Sequence, residues 1–209
     1  MHRTIAAVGD SHSLRCFENH PVIADSTAAT GVNKLDGKTA YKLRDHDRRV
    51  RKVIAPLRGK HIIFCFGEVD VRIHLKRQHG KTGTAIATLI ENTAKRYTGY
   101  VAELRQQGFD IHIFNVVPTG DFHGDAFEKW RANLAYPPTT SFTERRDYTL
   151  QLNEQYRKYC AAADLPFIDI YKHLIDAHGL RRRELVYDFS HLNSTTANIV
   201  LRHYSFSPS

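Results

Sequence analysis

Three side chains that are far apart in the sequence have the types that nucleophilic catalysis requires. The run AAVGDSHSLRCF, residues 6–17, places Ser11 directly after a short apolar stretch. Near the other end of the chain, VYDFSHLNS contains Asp188 and His191, three positions apart. A serine becomes a nucleophile when a base takes its proton, and the base is oriented by an acid. In a tight turn Asp188 and His191 would be close enough to act together on Ser11, whatever their order in the chain.

Each of the two motifs also has a structural explanation. A serine just after a strand, either Ser11 or Ser13, commonly caps the first turn of a helix. The chain has 13 histidines, so an aspartate three residues before a histidine arises readily by chance. Such a pair can simply stabilise the start of a helix. The motifs alone leave the catalytic and the structural interpretations open.

A third polar group follows an apolar run in FCFGEVDVR, residues 64–72. Gly67 permits a close approach of the backbone, and Asp70 and Arg72 stand where the strand would end. These polar residues are candidates for substrate binding. The alternative is a local ion-pair cluster without a function in binding.

The elements that must position these residues alternate along the chain. Strands alternating with helices predict right-handed βαβ units, and therefore an α/β fold with a parallel sheet between helical layers. In such sheets, ligands bind outside the carboxyl ends of the strands, so the strand ends VGDSH, CFGEVD and NVVPTG should meet at one edge. The apolar patterns predict strands over 3–9, 21–25, 60–67, 109–118 and 165–170, and helices over 37–57, 82–107, 143–163 and 193–204.

The length of 209 residues fits one domain over 1–209, and no repeat or linker interrupts it. The irregular segment 119–142 follows a strand end, so we expect it to be a lid or rim insertion. Its Trp130 and Tyr136 would either stack on a sugar ring or anchor the segment. Its DFHGD sequence lacks the geometry of a metal site. We therefore expect no metal. The first strand lacks a glycine-rich phosphate loop, so we also expect no nucleotide or flavin cofactor.

The composition narrows the class of partner. The net charge of +8 favours an anionic ligand, and residues 41–60 hold much of it. That stretch has no interleaved aromatic residues of the kind that stack on bases, so nucleic acid is not expected. No apolar run is long enough to span a membrane, and none resembles a secretory signal. The three cysteines have neither disulfide nor zinc spacing. We therefore expect a cytoplasmic protein, of unknown oligomeric state.

Taken in order, these motifs resemble the SGNH/GDSL hydrolase superfamily. The resemblance rests on Gly9-Asp10-Ser11, a glycine further on, the G-x-x-D block at 67–70 and the late D-x-x-H. It is closest to a subset with the variants GDSH and FGE[IV]DxR, and it covers nearly the whole chain. It implies a three-layer α/β/α sandwich of flavodoxin-like type, with a mostly parallel sheet of about five strands. It also implies Ser11 as nucleophile, His191 as base and Asp188 as the acid that orients it.

The same resemblance implies three donors to an oxyanion. The first is the N–H of Ser11, and the second is a glycine N–H, for which Gly37 is preferred to Gly31. The third is an asparagine in G-x-N-D, but Val69 stands at that position and cannot donate. Loss of one such donor typically costs ~10²–10³ in turnover.

Two side chains are candidates to replace the missing donor at position 69. Arg72 is the first, since an arginine also binds carboxylates or sulfates, and His12 is the second. We expect His12 to be either a substrate contact or an exposed side chain.

The predicted function is hydrolysis of an O-acyl ester, most simply an O-acetyl ester on a carbohydrate. The substrate would be a small molecule or a glycan, and an anionic group on it is one option. Two alternatives remain open. The same three residues would serve an acyltransferase in which a sugar hydroxyl replaces water. The valine at position 69 and the positive charge also fit a non-catalytic module that binds an anionic glycan.

Overall fold

The computed structural model describes residues 5–17, 19–25, 35, 37–120, 124–133 and 137–206. A five-stranded sheet forms its centre, and all neighbouring strands are parallel. The strand order is β2-β1-β3-β4-β5, which is the flavodoxin-like order. The strands are β1 (Ile5–Gly9), β2 (Ile23–Asp25), β3 (His61–Cys65), β4 (Asp110–Phe114) and β5 (Phe167–Ile168).

Helices cover both faces of the sheet, so the predicted α/β/α layering is confirmed. Ile62 and Phe64 of β3 are buried on one face, in a core shared with α2, α4 and α6. Ile63 and Cys65 are buried on the other face, with α1 and α8. The helices are α1 (Ser11–Phe17), α2 (Asp47–Ile54), α3 (Leu75–Thr82), α4 (Ile86–Gln106), α5 (Asp125–Ala132), α6 (Phe142–Ala162), α7 (Tyr171–Leu174) and α8 (Thr195–His203).

Several predicted elements are shorter in the structure. Residues 37–41 form turns instead of the first turns of a helix, because the Asp70 carboxylate accepts the N–H groups of Ala40 and Tyr41 at 2.6 and 3.2 Å. The long helix predicted from residue 82 begins at Ile86, since Gly83 adopts a left-handed conformation (φ 68°) that ends α3.

The strand predicted over 109–118 ends at Phe114, and a side chain takes over its backbone pairing beyond that point. Asn153 of α6 accepts the N–H of Val116 at 2.7 Å and donates to its carbonyl at 3.0 Å. After β4, Asn115 still donates its N–H to the Ile168 carbonyl of β5 at 3.1 Å, and the buried residues that follow lead into the edge where Ser11 lies.

Gly67 lies at this edge, directly beyond β3, and is required there by its surroundings. Its φ is 123°, and an added Cβ would lie 2.7 Å from Val116 Cγ2 and 2.9 Å from the Tyr156 hydroxyl. We predict that Gly67→Ala lowers the free energy of unfolding by about 1–3 kcal/mol in urea denaturation. Gly80→Ala, inside α3 with open space around it, should raise it by about 0.5–1 kcal/mol. Equal stability of Gly67→Ala and the unmodified protein would contradict the steric argument.

Candidate active site

Ser11, His191 and Asp188 form a continuous hydrogen-bonded chain at the carboxyl edge of the sheet. His191 Nε2 lies 2.8 Å from Ser11 Oγ. The Nδ1 of the same ring lies 2.9 Å from each carboxylate oxygen of Asp188. These distances are those that a nucleophile, its base and the orienting acid require. The fold thus brings together side chains separated by 180 positions in the sequence.

The loop 188–191 is organised by the Asp188 carboxylate. Its Oδ1 accepts the N–H groups of Ser190 at 2.7 Å and His191 at 2.8 Å, in addition to the ring proton. Burial alone would raise the pKa of Asp188, but the His191 ring and these backbone donors hold it well below its usual value. The carboxylate is therefore ionised at neutral pH and fixes His191 with Nδ1 protonated and Nε2 facing Ser11.

Ser11 is presented by the sharp change from β1 to α1. Asp10, not Ser11, caps the helix, since its Oδ1 accepts the N–H of His12 at 2.9 Å. The Asp10 carbonyl also accepts the N–H and the hydroxyl of Ser13, at 3.1 and 2.9 Å. An added Cβ on Gly9 would lie 2.2 Å from the Cys65 carbonyl oxygen, so only glycine lets β1 end this close to β3. The Ser11 hydroxyl is left to face His191.

His12 has a different place from either of the two predicted for it. It is neither exposed nor turned toward a substrate, because the residue is 3% exposed and both ring nitrogens have protein partners. Nδ1 lies 3.2 Å from Asp10 Oδ1, and Nε2 lies 3.1 Å from the carbonyl oxygen of Ser190. Its ring centroid is 4.7 Å from that of His191. His12 therefore supports the loop that carries His191 and is not an oxyanion donor.

Arg181 is a site-supporting residue that the sequence did not indicate. It belongs to the basic run RRREL, yet it is 7% exposed and donates into the site. Its guanidinium contacts the carbonyls of Pro118 at 2.9 and 3.0 Å, Ser190 at 3.0 Å, His191 at 3.4 Å and Asp188 at 3.5 Å. Burial lowers the pKa of Arg181 to about 10, so the group remains a cation at neutral pH.

Arg72 forms an ion pair with Glu68 beside the site. Its Nε donates to the two Glu68 oxygens at 2.8 and 3.1 Å. Glu68 Oε2 is 4.0 Å from His12 Nδ1. Burial opposes ionisation of Glu68, but Arg72 and then His12 hold its pKa below the usual value. Val69, between these polar side chains, is buried and brings no donor to the site.

Of the other predicted binding residues, Asp70 is placed differently. Asp70 is fully buried and its carboxylate holds the 40–41 backbone, so it is an anchor for that turn and cannot contact a substrate. Burial raises the pKa of Asp70 to about 7, against the effect of the two N–H donors. Gly37 is exposed, with a φ of 65°, in the turn where Lys38 N–H donates to the Leu35 carbonyl. Gly31 lies outside the described residues.

The segment predicted as a lid contains α5, which packs against the loop 188–191 through aromatic rings. Trp130 stacks on Phe127 at 5.6 Å, and both rings lie within 5.7 Å of Phe189, which follows Asp188. This packing matches the interpretation of Trp130 as an anchor. Tyr136 and residues 121–123 lie outside the described residues.

A cavity of about 400 Å³ lies between α5 and the start of α6. Its lining is mostly polar, with arginine and hydroxyl groups beside three apolar rings. The lining residues are Phe127, Arg131, Pro138, Thr139, Thr140, Ser141, Phe142 and Arg145. Its volume falls within the range of sites for small molecules.

Among the described residues, one group of three side chains has potential metal-ligand atoms within 4.8 Å of one another: His61, Asp110 and His112. It lies at the amino ends of β3 and β4, the edge opposite Ser11. His61 Nδ1 is 2.7 Å from Asp110 Oδ2, and Arg105 donates to Asp110 Oδ1 at 2.9 Å. Since hydrogen bonds and a guanidinium already satisfy the carboxylate, the group is explained as a buried polar cluster.

A parallel α/β sheet with a serine, histidine and aspartate hydrogen-bonded at its carboxyl edge is the arrangement found in serine hydrolases. The chain belongs to the GDSL-like lipase/acylhydrolase family, whose model matches residues 6–197. A search of curated proteins found no match.

Solved structures of this class have the same fold at low sequence identity. A GDSL-like lipase from Bacteroides thetaiotaomicron has a TM-score of 0.63 at 15% identity, covering 96% of this chain and 85% of the other. An acetyl xylan esterase has a TM-score of 0.58 at 14% identity, covering 97% and 100%. A lipase/acylhydrolase from Enterococcus faecalis has a TM-score of 0.51 at 17% identity, covering 96% and 95%.

Within the described part of the chain, no helix combines the length and the apolar character that crossing a bilayer would require.

Proposed function

We propose that this protein is a serine esterase that hydrolyses an O-acyl ester, with an O-acetyl group on a carbohydrate as the substrate class. The observation that carries the proposal is the hydrogen-bonded chain from Ser11 through His191 to Asp188, at 2.8 and 2.9 Å. The family supports ester hydrolysis, and the acetyl xylan esterase among the structural neighbours supports the acetylated sugar.

In this mechanism, Ser11 Oγ attacks the carbonyl carbon of the ester while His191 Nε2 takes its proton. The tetrahedral intermediate then expels the sugar alcohol, which receives that proton from His191. His191 next takes a proton from water, which attacks the acyl-enzyme. Acetate leaves and the proton returns to Ser11. Asp188 holds the ring and stabilises the imidazolium in both halves of the reaction.

The oxyanion would be bound by the Ser11 N–H at the start of α1, where first-turn N–H groups lack helical partners. Arg72 is our candidate for the donor that replaces the missing asparagine, and the N–H of Gly37 is the candidate for the remaining one. Arg72 follows β3 at the carboxyl edge of the sheet, as Ser11 follows β1, and this placement supports the assignment. With valine at position 69, we expect slow turnover.

The 400 Å³ cavity beside α5 supports the proposal that the alcohol portion of the ester is polar. Hydroxyl and guanidinium donors suit sugar hydroxyls or a carboxylate, and the flanking rings suit the apolar face of a sugar. We propose that residues 119–142 act as a rim over this cavity, attached to the catalytic loop through Phe189.

We predict that the protein releases acetate from p-nitrophenyl acetate and from acetylated xylo-oligosaccharides without an added acceptor. The rate with p-nitrophenyl octanoate should be at least about tenfold lower, since the proposed acyl group is small. Product analysis with added free sugar tests the alternative. Formation of acetylated sugar in place of acetate would identify a transferase. Salt-sensitive glycan binding without turnover would identify a binding module.

A further inference from the structure

The ring of His12 faces two oxygen atoms that can only accept. Nε2 lies 3.1 Å from the Ser190 carbonyl oxygen, and Nδ1 lies 3.2 Å from Asp10 Oδ1. That Asp10 oxygen also accepts the backbone N–H of His12 at 2.9 Å, as an ionised carboxylate does well. Both hydrogen bonds of the ring form together only when both nitrogens carry protons. The geometry is therefore that of a buried imidazolium.

The charges around this ring favour that form. Asp10 and Glu68 lie on the Nδ1 side, with Glu68 Oε2 at 4.0 Å. Burial alone would lower the pKa of His12, but Asp10 first and then Glu68 raise it above the ordinary value of a histidine. Two other charged or titratable groups lie nearby. Arg181 also donates to the Ser190 carbonyl, and the ring of His191 lies against the ring of His12.

Two of these neighbours are paired with charges of their own. Arg72 is ion-paired with Glu68, and Asp188 is paired with His191.

We propose that protonated His12 is a positioning residue, which together with Arg181 holds the Ser190 carbonyl and so keeps His191 directed at Ser11. The kinetic part of this proposal rests on the esterase function proposed above. Two cationic donors converge on one carbonyl, from Nε2 of His12 and Nη2 of Arg181 at 3.1 and 3.0 Å. The carbonyl belongs to the residue directly before His191, so any movement of it moves the base.

The expected pH dependence of catalysis follows from which ring nitrogen of His12 keeps the proton when the ring becomes neutral. When His12 loses one proton, the remaining one is held at Nδ1, between the Asp10 and Glu68 carboxylates. Nε2 then turns a lone pair toward the Ser190 oxygen, and the contact becomes repulsive. We call the two donors on the Ser190 carbonyl, His12 and Arg181, the clamp. The clamp is complete below the pKa of His12 and is lost as the pH rises through that pKa. Catalysis should therefore fall on the alkaline side.

The test compares kcat–pH profiles of His12→Gln, His12→Leu and the unmodified protein with p-nitrophenyl acetate. Glutamine retains an N–H donor for Ser190 but has no proton to lose, so its kcat should stay within about tenfold and its alkaline decline should disappear. Leucine has no donor, so kcat at neutral pH should fall roughly 30-fold with little change in KM. His79→Gln, an exposed histidine at the end of α3, is the matched control and should keep the unmodified profile.

An alkaline decline that persists unchanged in His12→Gln would overturn the proposal, as would an unmodified kcat in His12→Leu. The glutamine variant decides the question even if the leucine variant fails to fold.

A second measurement separates this proposal from the esterase function. Nitrogen-15 NMR of the histidine rings, with the His12 signals assigned from their loss in His12→Gln, reports the protonation state without a substrate. We expect both His12 nitrogens to stay protonated above the ordinary pKa of a histidine. A ring that is already neutral at that ordinary value overturns the clamp even if the protein hydrolyses esters. A doubly protonated ring in a protein without turnover supports the clamp and rejects the esterase function alone.

Discussion

Replacing Ser11 by alanine is expected to lower the rate of p-nitrophenyl acetate hydrolysis by about 10⁴-fold or more. The variant removes the atom that forms the acyl-enzyme, and members of such a triad act as a unit, so the loss of one costs nearly the whole effect. His191→Ala should cost a similar factor, because the Ser11 hydroxyl then has no base at 2.8 Å. Combining the two changes should add little to either one.

The role of Ser11 as nucleophile can also be tested in Ser11→Ala with a covalent label, without any knowledge of the substrate. A fluorophosphonate should add one covalent adduct to the unmodified protein, located on Ser11 by mass spectrometry. Ser13→Ala is the matched control, since Ser13 lies two residues further along α1 and its hydroxyl bonds the Asp10 carbonyl instead of facing His191. It should still be labelled, with a stability loss of about 1 kcal/mol. Labelling of Ser11→Ala at the unmodified rate would reject Ser11 as the nucleophile.

The fold could be predicted because its strands are local and strongly apolar. The runs that contain β1 and β3 are buried on both faces, as a parallel sheet between helices requires. Once the sheet is parallel, the carboxyl ends of its strands share an edge, so Ser11 after β1 and the 66–72 segment after β3 meet without any knowledge of the loops. The 186–194 motif follows no strand, so this argument does not place it. The Asp188–His191 spacing predicts a local pair, and within that turn the Asp188 carboxylate accepts the N–H groups of Ser190 and His191.

The supporting residues were beyond prediction because their partners come from distant parts of the chain. Arg181 looks like one of three surface charges, and its burial depends on a carbonyl 63 positions away in Pro118. His12 donates to a carbonyl 178 positions away. Asp70 looks like a cleft residue, but the turn that it anchors lies 30 positions earlier in the chain. No periodicity or local spacing records such contacts, since each partner is a backbone carbonyl or N–H group, which carries no side-chain signature.

The supporting contacts of the loop 188–191 do not involve the side chain of Val69, which stands where the resemblance predicts an asparagine. Within the loop 188–191, the Asp188 carboxylate accepts a backbone N–H group. From outside the loop, His12 and Arg181 contact the Ser190 carbonyl. The order of the base is thus independent of position 69, which affects only the oxyanion. We therefore expect the valine to reduce turnover while leaving covalent labelling of Ser11 efficient, because the nucleophile and its base are assembled without it.

The second large effect is expected for Arg181→Met. Methionine fills much of the arginine volume but cannot donate, so the Pro118 carbonyl loses its Arg181 donors and the Ser190 carbonyl keeps only His12. Each such loss costs about 1–3 kcal/mol, partly offset because a buried cation is no longer desolvated. We predict a net loss of about 2–4 kcal/mol in the free energy of unfolding, measured by urea denaturation. Hydrolysis and fluorophosphonate labelling should both fall about 10²–10³-fold, since the loop that carries His191 loses its support from Arg181.

Arg183→Met is the matched control for this prediction, because Arg183 is an exposed member of the same basic run and loses the same charge. Its stability should change by less than about 0.5 kcal/mol, and Ser11 labelling should be unchanged. Arg181→Lys should lie between the two, since an ammonium keeps the cation but cannot span carbonyls from both 118 and 188–191 with the geometry of a guanidinium. If Arg181→Met labelled and unfolded like Arg183→Met, the buried guanidinium would have no part in holding the base, and the order of the loop would have to come from Asp188 and His12 alone.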